Sequence, residues 1–135
     1  MNPPNDLQRS ELVIARILEL LIEWGVQESE LQFKELNLDD EYKNFYYPCI
    51  YWLEAEGIIR VGKVQRTLDD SASGYVMNPV LTAFGLRVLG TSLEFGKSET
   101  LSDAVVDVSR GNTSYSKIGD FLGSFAGGLT KSLGS

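Results

Sequence analysis

Residues 50–61 read IYWLEAEGIIRV, and the change of pattern inside this stretch decides the fold. Up to the glycine the side chains have helical spacing, and we expect Ile50, Leu53 and the ring of Trp52 to face inward. Gly57 supplies the left-handed position that ends many helices, and Ile58 can pack back on Leu53. From Ile58 onward the residues are β-branched, which is typical of a strand. We therefore predict a helix that ends at Gly57 and leads directly into β structure.

A strongly amphipathic helix comes first in the chain. Asn5 can cap it, and Gln8, three residues later, completes a capping-box pattern. Gly25 can end it, with Val26 folding back onto Leu21. The residues at helical spacing form one apolar stripe: Leu7, Ile14, Ile17, Leu18, Leu21 and Trp24.

The middle of the domain is less regular. Residues 27–38 fit neither period, so a short helix and a brief strand both stay open. Residues 39–41 are three carboxylates at the predicted start of a further helix, whose positive end they favour. Pro48 either lies in the first turn of a new helix or kinks one long helix, and we prefer the first because proline suits that position.

A hairpin and a short helix follow the junction. Residues 63–68 alternate, residues 69–74 form a polar loop, and residues 75–77 resume the strand. Thr82 then suits the N-cap of a helix over residues 83–89. The fold class predicted for residues 1–90 is mainly α with a small β-hairpin (α+β).

Two stretches resemble a known superfamily. WLEAEGIIR at 52–60 resembles the helix-to-wing junction of many bacterial winged-helix proteins, and VLTAFGLRVL at 80–89 resembles their strand and closing helix. A Leu-Thr-x-x-Gly-x-x-x-Leu pattern is common there, and the match covers roughly residues 10–90. The chain is also similar to uncharacterised bacterial and phage proteins that couple this domain to a Gly-rich tail. The resemblance implies a winged-helix (winged helix-turn-helix) domain over 1–90, followed by a linker and C-terminal helical segment over 91–135.

The resemblance makes DNA binding an obvious function, but the charges oppose it. The chain has a net charge of −7, and residues 1–90 hold eight Lys/Arg against fourteen Asp/Glu. The region expected to read DNA, residues 39–57, has five carboxylates and one lysine, so phosphates would repel it. The cations that could touch DNA are Arg60, Lys63 and Arg66 on the wing. We keep a transcriptional regulator that contacts DNA through the wing as an alternative, but we prefer to explain these residues as solvated edge charges that protect the hairpin from mispairing.

The sequence contains no recognisable set of catalytic residues. The sequence contains no histidine, and Cys49 therefore has no histidine partner for nucleophilic chemistry. We expect Cys49 to be a packed thiol, and we predict no metal and no cofactor. The chain starts without the pattern of a signal peptide and has no run of ~20 apolar residues, so we expect it to be cytoplasmic.

Residues 91–135, the tail, contain a second pattern that indicates a function. After a linker at 91–97 and a helix that ends near residue 110, a last helix is predicted from about Lys117 to Leu133. Apolar residues and glycines recur along it at spacings of three and four: Ile118, Gly119, Leu122, Gly123, Phe125, Gly127 and Leu129. Each interior glycine lowers the stability of a helix by about 1 kcal/mol relative to alanine. Three glycines at regular spacing therefore need an explanation, such as close approach of a second helix.

Three interpretations of the tail helix stay open. It can self-associate or dock on a partner, fold back onto its own domain, or lie on a membrane surface. The absence of a basic face disfavours peripheral membrane association. We prefer the first interpretation and expect a homo-oligomer or a protein partner.

The tyrosines and a tryptophan of the central region supply more aromatic area than a small core needs: Tyr42, Tyr46, Tyr47, Tyr51 and Trp52. Part of this area can form a binding face, because Tyr and Trp are favoured at interface hot spots. The sequence therefore predicts a non-catalytic protein that acts through protein–protein interaction, with the C-terminal helix for oligomerisation or docking.

Overall fold

The computed structural model of the chain describes residues 4–90, which belong to the mixed α and β class, as predicted. The predicted linker and tail helices lie outside these residues. The elements are, in chain order, α1 (Asp6–Trp24), β1 (Glu30–Leu31), two 3-10 helices (Phe33–Leu36 and Asp40–Phe45), α2 (Tyr46–Ala55), β2 (Ile59–Arg60), β3 (Lys63–Arg66), β4 (Gly74–Met77), β5 (Val80–Leu81) and α3 (Ala83–Gly90).

Helix α1 begins at the predicted capping box. The Asn5 side chain accepts a hydrogen bond from the Gln8 backbone N–H (2.8 Å), and the Gln8 side chain accepts one from the Asn5 N–H (2.9 Å). Gly25 has φ +69° at the other end, and its N–H donates to the carbonyl of Leu21. The predicted contact of Val26 with Leu21 is wrong, because Val26 is 73% exposed. At Gly25 ψ is −157°, so the backbone leaves the helix extended instead of folding back.

The stripe of α1 forms one wall of the core over most of its length. Its buried members are Ile14, Ile17, Leu18 and Leu21, with Trp24 half-buried. Leu7 is exposed, contrary to the prediction, because the buried part of the helix begins only at Glu11.

Residues 27–38 contain both of the structures that the sequence left open. Strand β1 pairs antiparallel with β4, with Leu31 opposite Val76, and the first 3-10 helix follows it. The hairpin of β3 and β4 thereby becomes a three-stranded sheet of order β1-β4-β3. The strand content is therefore larger than the hairpin alone, since β2 and β5 also form a separate antiparallel pair.

Pro48 lies in the first turn of α2, as preferred from the sequence. The helix begins at Tyr46, so the missing proline N–H falls among the N–H groups that have no partner within the helix anyway. The carboxylates at 39–41 precede and open a 3-10 helix rather than an α-helix, and that 3-10 helix runs directly into α2.

The junction after α2 has the predicted geometry. The Ile58 N–H donates to the Leu53 carbonyl and the Gly57 N–H to the Glu54 carbonyl, both at 3.0 Å, and Gly57 has φ +76°. These two bonds define a Schellman ending. Ile58 and Leu53 are both buried in the core, so the end of the helix is fixed by packing as well as by hydrogen bonds.

Thr82 connects this junction to α3. Its Oγ1 accepts from the Gly85 N–H (2.8 Å), as an N-cap does, and donates to the carbonyl of Gly57 (2.6 Å). Helix α3 approaches the chain so closely that a Cβ at position 85 would overlap the carbonyl oxygen of Ile58. The glycine in the Leu-Thr-x-x-Gly pattern is therefore required by contact between two backbones.

We predict that Gly85→Ala lowers the free energy of unfolding by about 1–3 kcal/mol, because the methyl group can be accommodated only if α3 moves away from Ile58. Urea denaturation followed by circular dichroism measures this change. Leu86→Ala, at an exposed position of the same helix, is the control and should cost less, because no backbone has to move to accommodate it. Equal stability of Gly85→Ala and the unmodified chain would contradict the prediction.

Candidate functional site

Helix α2 is attached to the core by one side. Residues at helical spacing are buried there, with 5% exposure or less: Tyr46, Cys49, Ile50 and Leu53. This side packs against α1 and the second 3-10 helix. The orientation of α2 is therefore set by an apolar stripe of ordinary width.

Two tyrosine hydroxyls fix α2 against the β structure. Tyr46 donates to the carbonyl of Leu31 in β1 (3.0 Å), and Tyr47 donates to the carbonyl of Ser73 just before β4 (2.9 Å). Burial raises the pKa of both phenols, so both remain protonated donors. The hydroxyls thus hold α2 to β1 and to the hairpin at once.

The rings of these tyrosines belong to a continuous aromatic row. Phe33 and Tyr46 meet edge to face at 5.8 Å between centroids, and Tyr46 and Tyr47 do so at 4.7 Å. Tyr47 stacks on Tyr51 at 6.2 Å, and the guanidinium of Arg66 lies 4.5 Å from the centre of the Tyr47 ring. The row starts in the core and ends with Tyr51 at the surface.

A second apolar stripe lies on the opposite side of α2. Its members are spaced i, i+3, i+4 and i+7, and all four are exposed: Pro48, Tyr51, Trp52 and Ala55. We call these residues the outer stripe. Tyr51 is 41% and Trp52 is 36% exposed. The prediction that the Trp52 ring faces inward is wrong, because the buried stripe already occupies the inner side of the helix.

The aromatic residues of the region therefore divide between core and surface. Tyr42, Tyr46 and Tyr47 are buried, whereas Tyr51 and Trp52 contribute to the outer stripe. Pro48 and Ala55 were not predicted to be surface residues. The signal was present in the i, i+3, i+4, i+7 spacing, but two such stripes on one helix do not indicate which of them faces the core.

Acidic groups mark the C-terminal end of the outer stripe. Glu54 is exposed and Glu56 half-buried, and neither forms an ion pair within residues 4–90. Lys43, the lysine of this region, is already engaged by Asp70 (3.1 Å) and Asp40 (3.6 Å). The carbonyl end of the helix adds partial negative charge at the same place.

The tip of the hairpin is held in shape by its own polar groups. Asp70 accepts from the Ala72 N–H (2.9 Å), and the Ser73 hydroxyl bonds with Asp70 and with Thr67. The Ala72 N–H, and after it Lys43, lowers the pKa of Asp70. Asp70 is therefore a turn residue, as the sequence indicated, and it ties the tip to the second 3-10 helix.

The three cations proposed for DNA lie on two strands that belong to different sheets. Lys63 and Arg66 lie three residues apart on β3, so their side chains leave opposite faces of the hairpin. Arg66 turns toward α2 and stacks on Tyr47. Arg60 is on β2, in the separate two-stranded sheet, beside a shallow groove of about 420 Å³ that Val26 and Val80 also line.

Cys49 lies in the core of the domain. Cys49 is 5% exposed, as expected of a packed thiol, and its Sγ donates to the Ser10 carbonyl (3.6 Å). Burial raises the pKa of this thiol to about 12. Within residues 4–90 no three Cys, Asp or Glu side chains come together as a metal site, and no helix has the length and apolar character needed to cross a membrane.

Comparisons with protein-family models, with curated proteins and with solved structures each found no match to this chain. The site is therefore interpreted from its own geometry and charge.

We predict that Cys49 reacts with a thiol reagent at pH 8 at least about tenfold more slowly than a free cysteine, because burial raises the pKa of this thiol and little thiolate is present. Labelling followed by mass spectrometry measures the rate. Unfolding in urea is the control and should restore ordinary reactivity. Rapid labelling of the folded chain would show that Cys49 is an accessible nucleophile.

Proposed function

We propose that residues 1–90 form a winged-helix domain. The order of elements supports this: a first helix, a short strand, a helical segment that leads into α2, and then a hairpin. The short strand β1 completes a three-stranded sheet with that hairpin. In this interpretation α2 corresponds to the helix that related DNA-binding proteins insert into the major groove, and β3 and β4 form the wing.

We further propose that the protein is not an enzyme and that it acts through protein–protein interaction. The outer stripe of α2 is the observation that carries this proposal. A helix that is apolar on two opposite sides is normally buried on both, yet only the inner side of α2 meets the core. Exposed Tyr and Trp are the residues most favoured at protein interfaces. The outer stripe therefore suits contact with another polypeptide.

The alternative function, DNA binding through the wing, has weaker support. The helix that would enter the groove carries Glu54 and Glu56 and no cation, and phosphates would repel this surface. Lys63 and Arg66 leave opposite faces of the hairpin, so one duplex surface cannot engage both in the same way. Arg60 and Lys63 are exposed and remain the contacts that this alternative requires.

The C-terminal helix is proposed as an oligomerisation or docking element. The proposal rests on its sequence pattern, in which apolar residues and glycines alternate at helical spacing: Ile118, Gly119, Leu122, Gly123, Phe125, Gly127 and Leu129. Small residues at every fourth position let two helices approach closely. Peripheral membrane association through the same helix is the remaining alternative, which the absence of a basic face disfavours.

A photo-crosslinking side chain at position 55 tests the interaction function. We expect the full chain that carries it to form adducts with polypeptide when irradiated in the cells that make the protein, because Ala55 is exposed in the outer stripe and its replacement leaves Tyr51 and Trp52 in place. The same side chain at Ile22, which is exposed on α1, is the matched control and should form far fewer adducts. Gel shifts with protease or nuclease treatment identify the partner class. Adducts that nuclease removes, or equal labelling at both positions, would contradict the proposal.

Light scattering on the full chain tests the tail. We expect a mass above that of the monomer, and a return to the monomer when Leu122 and Phe125 are both replaced by Asp, since charge in an apolar stripe opposes helix association. Leu86→Asp, at an exposed apolar position of α3, is the control and should leave the mass unchanged. A monomeric full chain would contradict self-association through the tail.

A further inference from the structure

We propose that the outer stripe of α2 binds a basic amphipathic segment of another protein, with apolar side chains over Tyr51 and Trp52 and an Arg or Lys at the Glu54–Glu56 end. This inference rests on the proposed interaction function and specifies the chemistry of the partner.

The apolar half of the surface is held in place before binding. Tyr51 stacks on Tyr47, and the Tyr47 ring is fixed by its hydroxyl bond to Ser73 and by the guanidinium of Arg66. A side chain that is already ordered loses little conformational entropy on binding. The outer stripe spans two turns of α2, which matches the length that an amphipathic helix can cover with a few apolar side chains.

The charged half of the surface selects for a cation. Glu54 and Glu56 lie on either side of the line of the outer stripe, at the carbonyl end of α2, and neither has an ion-pair partner in the described part of the chain. The partial negative charge of the helix end adds to theirs. Trp52, on the same helix, is 36% exposed, and a guanidinium can stack on an exposed indole ring. An Arg of the partner would meet carboxylate and aromatic groups together.

A second copy of the chain does not fit this surface. In a parallel pairing of two α2 helices, Glu54 and Glu56 of both copies would meet each other. In an antiparallel pairing they would face the N-terminal end of the other copy's α2, and α2 contains no Lys or Arg that could compensate them. Like charges brought together in an interface oppose association. Self-association is therefore assigned to the tail, and the outer stripe to a different, basic protein.

A pair of designed peptides tests this inference. Both are amphipathic helices with the same Leu and Phe face, and one carries Arg and the other Glu along the borders of that face. Fluorescence anisotropy with the full chain should show that the Arg peptide binds at least tenfold more tightly than the Glu peptide, and that salt weakens its binding. Trp52→Ala should weaken binding of the Arg peptide by about tenfold, as at a hot spot, whereas Ile22→Ala should not.

Charge reversal provides the decisive comparison. Glu54→Lys with Glu56→Lys should reverse the preference so that the Glu peptide binds more tightly. Glu23→Lys with Glu28→Lys makes the same change in net charge at exposed positions away from the outer stripe and should leave the preference intact. Equal effects of the two double variants, equal binding of both peptides, or no binding of either would overturn the inference.

The outcomes separate this inference from the function on which it depends. Loss of both peptides in Trp52→Ala without any charge preference would keep the outer stripe as an interface and reject only the basic partner. A DNA duplex that binds the full chain tightly, and loses binding in Trp52→Ala, would reject both. Absence of polypeptide adducts in the crosslinking experiment would reject the interaction function itself.

Discussion

The hydroxyl groups of Tyr46 and Tyr47 are the contacts on which the arrangement of this domain depends. Each donates to a backbone carbonyl, one at β1 and one at the start of β4, so a single turn of α2 is bonded to two separate parts of the β structure. A buried phenol without a partner is costly, and a buried carbonyl is too. The inner face of α2 can therefore be satisfied in only one rotational setting about its axis, and that setting directs Tyr51 and Trp52 to the surface.

The same constraint divides the aromatic residues of α2 between the core and the surface. The inner residues fill the core and carry the two hydrogen bonds, and the aromatic row continues outward through the stacked ring of Tyr51. An aromatic row that ended at the core boundary would serve stability alone. Its continuation into an exposed stripe, bordered by Glu54 and Glu56, is what gives the proposed interface both apolar area and a preferred charge.

Several cations of the domain are engaged by its own acidic or aromatic groups. Among the residues described, Arg9 is paired with Asp6 and Glu41, Lys43 with Asp40 and Asp70, and Arg66 lies over an aromatic ring. These cations contact groups of the domain itself, so their charge is largely compensated within it. The carboxylates at the end of α2 have no such partners there. A surface with uncompensated negative charge next to exposed rings favours a basic polypeptide over a polyanion.

The sequence by itself determined the local structure at four positions where a particular residue type suits a helix end. The capping box at Asn5, the Schellman ending at Gly57, the N-cap at Thr82 and the first-turn position of Pro48 all depend on backbone hydrogen bonds within a few residues, and all four predictions are confirmed. The packed thiol of Cys49 was also predictable, because its apolar neighbours follow at helical spacing.

The tertiary structure alone decided which side of α2 is outside and where Arg60, Lys63 and Arg66 point. Both stripes of α2 are apolar, so periodicity could not rank them, and Trp52 was assigned to the wrong side. The pairing of β1 with β4 and the contact of Gly85 with Ile58 join residues far apart in sequence, where no local pattern records the distance. Local hydrogen bonds join residues that are close in the sequence, so a local pattern predicts them. The side of α2 that faces the core is different, because both sides are apolar and only packing of the rest of the chain selects one of them.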